Sequence, residues 1–158
     1  MGIELPWETI FKVANVGILP FWLLLAFGPR RQMVLRGIFL LGSGLLAVSY
    51  AILIVGLLGG AFDGGGGAGG NADLTTLAGA MALFDSPGGA TIGWIHYLAF
   101  DLFVGIWIAR NADRHAIARL WQIPCLFLTL MFGPIGLLLY LILRSFLGKS
   151  LENGFTPR

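Results

Sequence analysis

The chain has 158 residues, of which 57% are hydrophobic and only 11% are charged. An ordinary soluble domain has roughly 25% charged residues. This composition, with a mean hydropathy of +0.85, therefore excludes a soluble globular fold and predicts a small polytopic membrane protein. Nearly all of the ten lysines and arginines lie just outside or at the ends of the apolar runs, which is usual for membrane helices. The net charge of +2 therefore predicts no nucleic-acid partner.

Apolar stretches long enough to cross a bilayer occur four times in the chain. A hydrocarbon core of about 30 Å needs about 20 residues of helix. The stretches cover about residues 10–27, 33–58, 90–109 and 120–143. We therefore expect an all-α fold, a polytopic membrane four-helix bundle that forms a single membrane domain over residues 1–158. Glu4 and Glu8 stand where a signal peptide would be basic, so the first helix is expected to remain in the mature protein.

The distribution of basic residues predicts an orientation. Six arginines lie in or beside the connections between helices 1 and 2 and between helices 3 and 4, against four basic residues on the opposite side. Because positive charge is enriched on the cytoplasmic side, we expect these connections in the cytoplasm and both termini outside.

The segment between helices 2 and 3 is rich in glycine. Eight of the twelve residues in Gly59–Gly70 are glycine, which is typical of a flexible linker. After it, Asp73 is a suitable N-cap, and apolar residues recur with helical spacing up to Phe84. The pattern predicts a short interfacial helix over about residues 73–84, too short to span the bilayer.

Polar residues inside apolar helices are costly, so their positions indicate function or tight pairing. Asp101 lies near the middle of the third helix, with Tyr97 and Trp94 four and seven residues before it on the same face. His96 lies on another face. On the second helix, Arg36 and Tyr50 belong to one seven-residue stripe that contains Ser43.

Arg36 and Asp101 are expected at similar depths if helices 2 and 3 are antiparallel, so we predict an ion pair between them. Two interpretations of Asp101 stay open: a proton carrier, or a structural carboxylate that Tyr97 or Arg36 satisfies. On helices 1 and 4, Asn15, Trp22 and Thr129 lie on the polar stripes. Candidate metal ligands do not cluster in the sequence, and we predict no metal site.

The chain resembles the abscisic-acid-deficient-four-like family, small integral membrane proteins named for a plant plastid protein needed to form neoxanthin. The most specific part of the resemblance is His96–Gly105; Ile106 stands where the family pattern has arginine. The segments that carry it are Ala14–Asn15, Leu19–Trp22, Leu83–Pro87, Trp94–Gly105 and Leu128–Tyr140.

The resemblance implies a role in xanthophyll metabolism, with conversion of violaxanthin to neoxanthin as the type reaction. That reaction is an isomerisation of an epoxide to an allene, and it needs an acid and a base but no redox cofactor. The residues expected to carry protons are Asp101, His96, Tyr97 and Arg36. Those expected to contact the substrate are Asn15, Trp22, Trp94, Thr129 and Tyr50.

Two functions remain open from the sequence: a cofactor-independent carotenoid isomerase, and a non-catalytic carotenoid-binding or assembly subunit of a membrane complex. A transporter is disfavoured, because four helices without convincing inverted repeats suit alternating access poorly. The expected partners are a carotenoid or another long apolar ligand, the lipid bilayer, and further copies or subunits in a complex. The sequence shows no plastid transit peptide, so a bacterial inner membrane with periplasmic termini is expected.

Overall fold

The computed structural model describes residues 2–65 and 75–148. Three helical stretches in these residues are long and apolar enough to cross a membrane, at Trp7–Phe27, Gln32–Leu58 and Pro87–Arg114. They confirm the first three predicted membrane helices. The elements in chain order are β1 (Ile3–Glu4), α1 (Trp7–Phe27), α2 (Gln32–Gly37), a π-helical segment (Ile38–Gly44), α3 (Leu45–Leu58), β2 (Phe62–Asp63), α4 (Leu77–Phe84), α5 (Pro87–Arg114), α6 (Arg119–Phe132) and α7 (Pro134–Leu147).

The fourth predicted membrane helix, 120–143, is wrong as a single span. Helix α6 ends at Phe132, Gly133 has φ +46° and ψ −94°, and α7 begins at Pro134. A positive φ is easily adopted by glycine, and proline is favoured in the first turn of a helix. The sequence Gly133-Pro134 therefore ends one helix and starts the next.

Helices α6 and α7 fold back on each other as a tight hairpin. A Cβ added at Gly136 would collide with Thr129 and would lie 2.5 Å from the Cys125 carbonyl oxygen. In a continuous helix, Cys125 and Gly136 would be about 16 Å apart. Each arm has 14 residues, or about 21 Å, which is too short to span the hydrocarbon core. The apolar stretch that predicted a fourth span therefore forms a hairpin of two short helices.

The chain forms two compact units, one of residues 1–19 and 40–99 and the other of residues 20–39 and 100–158. In the first unit, β1 and β2 form a parallel pair with Ile3 opposite Phe62. The indole N–H of Trp7 donates to the Asp63 carbonyl at 2.8 Å. Part of the segment predicted as a flexible linker is therefore strand, while residues 66–70 lie outside the described part.

Helix α4 is the short helix predicted after the glycine-rich segment. Its N-cap is Thr76, whose hydroxyl accepts from the Gly79 N–H at 3.1 Å; Asp73, the predicted cap, lies outside the described residues. At the other end, the Ser86 hydroxyl donates to the Leu83 carbonyl and accepts from the Gly89 N–H, both at 2.9 Å. One serine thus closes α4 and caps the first turn of α5. Its interfacial location stays a prediction.

In the second unit, polar side chains fasten the hairpin to α5. The Asn111 carbonyl oxygen Oδ1 accepts from the Tyr140 hydroxyl at 2.6 Å and from Arg144 at 3.1 Å. Gln122 is buried, and its amide donates to Asp113 at 3.1 Å and to the Ile117 carbonyl at 2.8 Å. We call these residues the hairpin network. They hold both arms of the hairpin at the C-terminal end of α5.

Candidate functional site

Three of the predicted site residues, Tyr50, His96 and Tyr97, line one pocket in the first unit, which we call the aromatic pocket. Its volume is 290 Å³. The His96 ring lies 5.2 Å from the Tyr50 ring and 6.3 Å from the Tyr97 ring, centroid to centroid. The structure therefore brings together an imidazole and two phenols that the sequence places on two different helices.

The rest of the aromatic pocket is apolar. Leu83 and Phe84 of α4 contribute to it, together with Ile54 of α3 and Ile92 of α5. The Phe84 ring occupies the space that a Cβ at Gly93 would need, so this glycine lets α4 lie directly on α5. Within the described residues, the hydroxyls of Tyr50 and Tyr97 have no hydrogen-bond partner. The pocket thus presents two phenolic hydroxyls and one imidazole to an apolar ligand.

Asn15 and Trp94, both predicted to contact the substrate, bind each other. The indole N–H of Trp94 donates to Asn15 Oδ1 at 2.8 Å, and the Trp94 ring lies 5.7 Å from that of Phe11. The polar atoms of this pair satisfy one another and connect α1 to α5. Their part in substrate contact stays a prediction.

Asp101, in the second unit, lies against the tip of the hairpin. A Cβ at Gly133 would be 2.6 Å from Asp101 Oδ1, so the carboxylate occupies the space beside the glycine. The tip is also the N-terminus of α7, where the helix dipole favours a negative charge. The Asp101 carboxylate has neither a hydrogen bond nor an ion pair with another residue in 2–65 or 75–148.

The predicted ion pair between Arg36 and Asp101 is wrong for this structure. Arg36 instead lines a second pocket in the second unit, of 710 Å³, with Arg30, Arg110 and Arg114. We call it the basic pocket. The expected pairing assumed that Arg36 and Asp101 lie at similar depths, but Phe39 lies opposite Phe103, with their rings 6.2 Å apart. Arg36 therefore lies further along α5 than Asp101, beside Ile106 and Arg110. Arg36 therefore has a different set of neighbours from the one that its spacing predicted.

Trp22 and Thr129 are both buried in the second unit. The Trp22 ring packs where a Cβ at Gly105 would be, and its indole nitrogen has no partner among the described residues. The Thr129 hydroxyl donates to the Cys125 carbonyl at 2.8 Å inside the hairpin. Thr129 thus fills a structural position, while Trp22 keeps a free donor.

A family model described as ABA DEFICIENT 4-like matches residues 9–140 of the chain. The chain belongs to this family. Comparison with curated proteins and with solved structures found no significant match. The matched range contains both pockets, Asp101 and the tip of the hairpin.

Some residues of this ABA DEFICIENT 4-like chain escaped the sequence analysis. Phe84 closes one wall of the aromatic pocket, and the signal for it was its place at the end of the short helix. Arg30 and Asn111 line the basic pocket, yet in the sequence they read only as a basic flank and a polar helix end. Gly133 entered the sequence analysis only within the segment Leu128–Tyr140, although its positive φ makes it the turning point of the hairpin.

Proposed function

We propose that the protein modifies a xanthophyll within the membrane by isomerising an end-group epoxide to an allene. The family membership supports a link to carotenoid metabolism. The observation that carries the finer proposal is the aromatic pocket, where His96 lies beside two tyrosines in apolar surroundings. Ligand sites of this kind are mostly apolar with a few placed polar groups.

The proposed reaction needs two proton transfers, one from the protein to the substrate and one from the substrate to the protein. An acid donates a proton to the epoxide oxygen, and the C–O bond at the ring carbon next to the polyene breaks. A base removes the vinylic proton from the adjacent chain carbon, and the electron pair of that C–H bond forms the new C=C bond of the allene. The oxygen stays on the other ring carbon as a hydroxyl. One proton enters and one leaves, so the product is an isomer.

The side chains of the aromatic pocket supply both roles. In the proposal, the imidazole of His96 is the base, because imidazole is the side chain that most often transfers protons in general acid–base catalysis. A phenol, that of Tyr97 or Tyr50, donates to the epoxide oxygen, and the other hydrogen-bonds the end group. Asp101, at the tip of the hairpin, is a further proton carrier that a separate variant tests.

The test measures pigments in a host that accumulates an epoxy-xanthophyll. His96→Gln keeps a polar side chain but removes the base, and we expect conversion to fall by roughly 10² to 10⁴, the usual contribution of a general acid or base. His115→Gln is the matched control, because His115 lies outside the aromatic pocket, and conversion should persist. A folded His96→Gln protein with normal conversion would show that the aromatic pocket is not the site of the reaction.

A non-catalytic carotenoid-binding subunit is the alternative. The aromatic pocket favours it to the extent that the same phenols can hydrogen-bond a hydroxylated end group without transferring a proton. Carotenoid that co-purifies with the wild type, with no new product and with binding lost in Tyr50→Phe and Tyr97→Phe, would support this alternative. Unchanged binding together with lost conversion in those variants would support the isomerase.

A further inference from the structure

The basic pocket differs from the aromatic pocket in charge and in lining. Four arginines line it, Arg30, Arg36, Arg110 and Arg114, and no aspartate or glutamate is among its described lining residues. Among these four, Arg30 alone has an acidic partner within residues 2–65 and 75–148, with its Nη1 at 3.4 Å from Asp113 Oδ2. The other three guanidinium groups make no hydrogen bond or ion pair with the rest of the described chain. The pocket therefore carries positive charge that the described protein does not balance.

Arg30 shows that this charge extends into the interior. Its side chain is 9% exposed, and Nη2 donates to Gln122 Oε1 at 3.0 Å. Its Nε is buried and has no partner among the described residues. Burial lowers the pKa of the Arg30 guanidinium below its ordinary value. A buried guanidinium with an unused donor is stabilised by an additional anion.

The opposite end of the basic pocket is aromatic. Phe39, Phe103 and Trp107 line it, and the Phe39 and Phe103 rings lie 6.2 Å apart. Along α5, Phe103 precedes Arg114 by eleven residues, or about 16 Å. The pocket thus changes from cationic at the end of the membrane helix to apolar deeper in the span, which matches a molecule with an anionic head and a hydrocarbon tail.

We propose that the basic pocket binds the phosphate headgroup of an anionic membrane lipid. The guanidinium groups of Arg36, Arg110 and Arg114 hold the phosphate oxygens, because arginine pairs with phosphate in bidentate geometry. One acyl chain lies along Phe39, Phe103 and Trp107. The site is separate from the proposed isomerisation and does not depend on it.

Native mass spectrometry of the full chain in detergent tests the lipid site. Phosphatidylglycerol and phosphatidylcholine with identical acyl chains are the probes, and phosphatidylglycerol is expected to bind at least about tenfold more tightly. Arg110→Gln should weaken its binding about tenfold, the effect of losing one charge-assisted hydrogen bond. Arg31→Gln is the matched control. This substitution removes the same charge from the residue next to Arg30, but Arg31 does not line the pocket.

Three outcomes would overturn the proposal. Equal binding of the two lipids would show that the pocket does not recognise an anionic headgroup. An equal loss of phosphatidylglycerol binding in Arg31→Gln and Arg110→Gln would show that only the general positive charge of this face matters. If inorganic phosphate binds as tightly as the lipid, the ligand of the pocket is a soluble anion and not a lipid. Size-exclusion profiles of the variants verify that they are folded, and pigment conversion is measured separately so that the two proposals can fail independently.

Discussion

Tyrosine serves two purposes in the two units. At the base of the hairpin, Tyr140 is 1% exposed and donates to Asn111 at 2.6 Å. In the aromatic pocket, Tyr50 and Tyr97 keep their hydroxyls without a hydrogen-bond partner among the described residues. Buried polar groups that bond each other stabilise a fold. Tyr50 is half-buried and Tyr97 is exposed, so their hydroxyls are accessible to a ligand. The comparison separates a structural network from a site for chemistry.

The largest expected effect concerns the topology of the hairpin. With Cys125 first replaced by alanine, single cysteines are introduced as Arg114→Cys and as Ser145→Cys, and membrane-impermeant labelling is measured from each side. Because the hairpin starts and ends at the same end of α5, both cysteines should label from one side. Labelling from opposite sides would show that residues 120–143 cross the membrane once, and it would contradict the hairpin.

The second prediction concerns the turning point of the hairpin. Gly133→Ala places a Cβ against Asp101 at a φ of +46°, and strained backbone of this kind costs on the order of 1 to 3 kcal/mol before the collision is counted. We expect a strong loss of monodisperse protein and of thermal stability. Gly17→Ala is the control, since nothing lies within 4 Å of its added Cβ. Equal behaviour of the two variants would contradict the hairpin geometry.

Asp101→Asn tests whether Asp101 has a structural role or takes part in the chemistry. The change keeps size and hydrogen-bonding capacity but removes the exchangeable proton, so a proton carrier should lose roughly 10² to 10⁴ of conversion while the protein still assembles. Pigment analysis and size-exclusion chromatography measure the two effects. The control is Asp85→Asn, in the exposed turn after α4. A folded protein with unchanged products would leave Asp101 a purely structural role at the hairpin tip.

The smallest expected effect is a matched pair of tyrosine variants. Tyr140→Phe removes a buried hydrogen bond, while Asn111 keeps its bond from Arg144, so the free energy of unfolding should fall by about 1 kcal/mol. Tyr50→Phe removes a hydroxyl without a described partner and should leave thermal stability unchanged. Thermal unfolding in one detergent compares them. A larger loss of thermal stability for Tyr50→Phe than for Tyr140→Phe would contradict the distinction between a structural tyrosine in the hairpin network and a ligand-binding one in the aromatic pocket.

Length and hydropathy were sufficient for the first three membrane helices, because a span requires about 20 apolar residues and leaves a plain signal. They failed for 120–143, where two arms joined by Gly133 have the same composition as one span. The sequence indicates that glycine permits a positive φ but not that the chain uses it. The sequence analysis placed Tyr97 with Asp101 on one face of the third helix and His96 on another, whereas His96 lies beside Tyr97 and Tyr50 in the structure. The contact with Tyr50 depends on the packing of α3 on α5, which helical spacing within α5 does not reveal.

The polar stripe of Arg36, Ser43 and Tyr50 shows a second limit. Seven-residue spacing keeps residues on one face only while the helix stays α-helical. Residues 38–44 are π-helical instead, and about 21 Å of helix separates Arg36 from Tyr50, so the two residues line different pockets. Nothing in an apolar sequence such as Ile38–Leu41 distinguishes the two hydrogen-bonding patterns, so the error is one of backbone register and not of residue chemistry.

The π-helical segment also acts as a spacer inside the second membrane helix. A hydrogen-bonded ring that closes at the fifth residue holds one residue more than an α-helical turn, and the buried Ser43 hydroxyl in it has no described partner. Deleting one residue between Ile38 and Gly44 would let this stretch return to α geometry with little change in the direction of its neighbours, because the deletion removes the residue that the wider turn holds. This short stretch is therefore the place in the second membrane helix where the loss of one residue is tolerated best, whereas one residue lost from the regular α3 would turn the residues beyond it by about 100°.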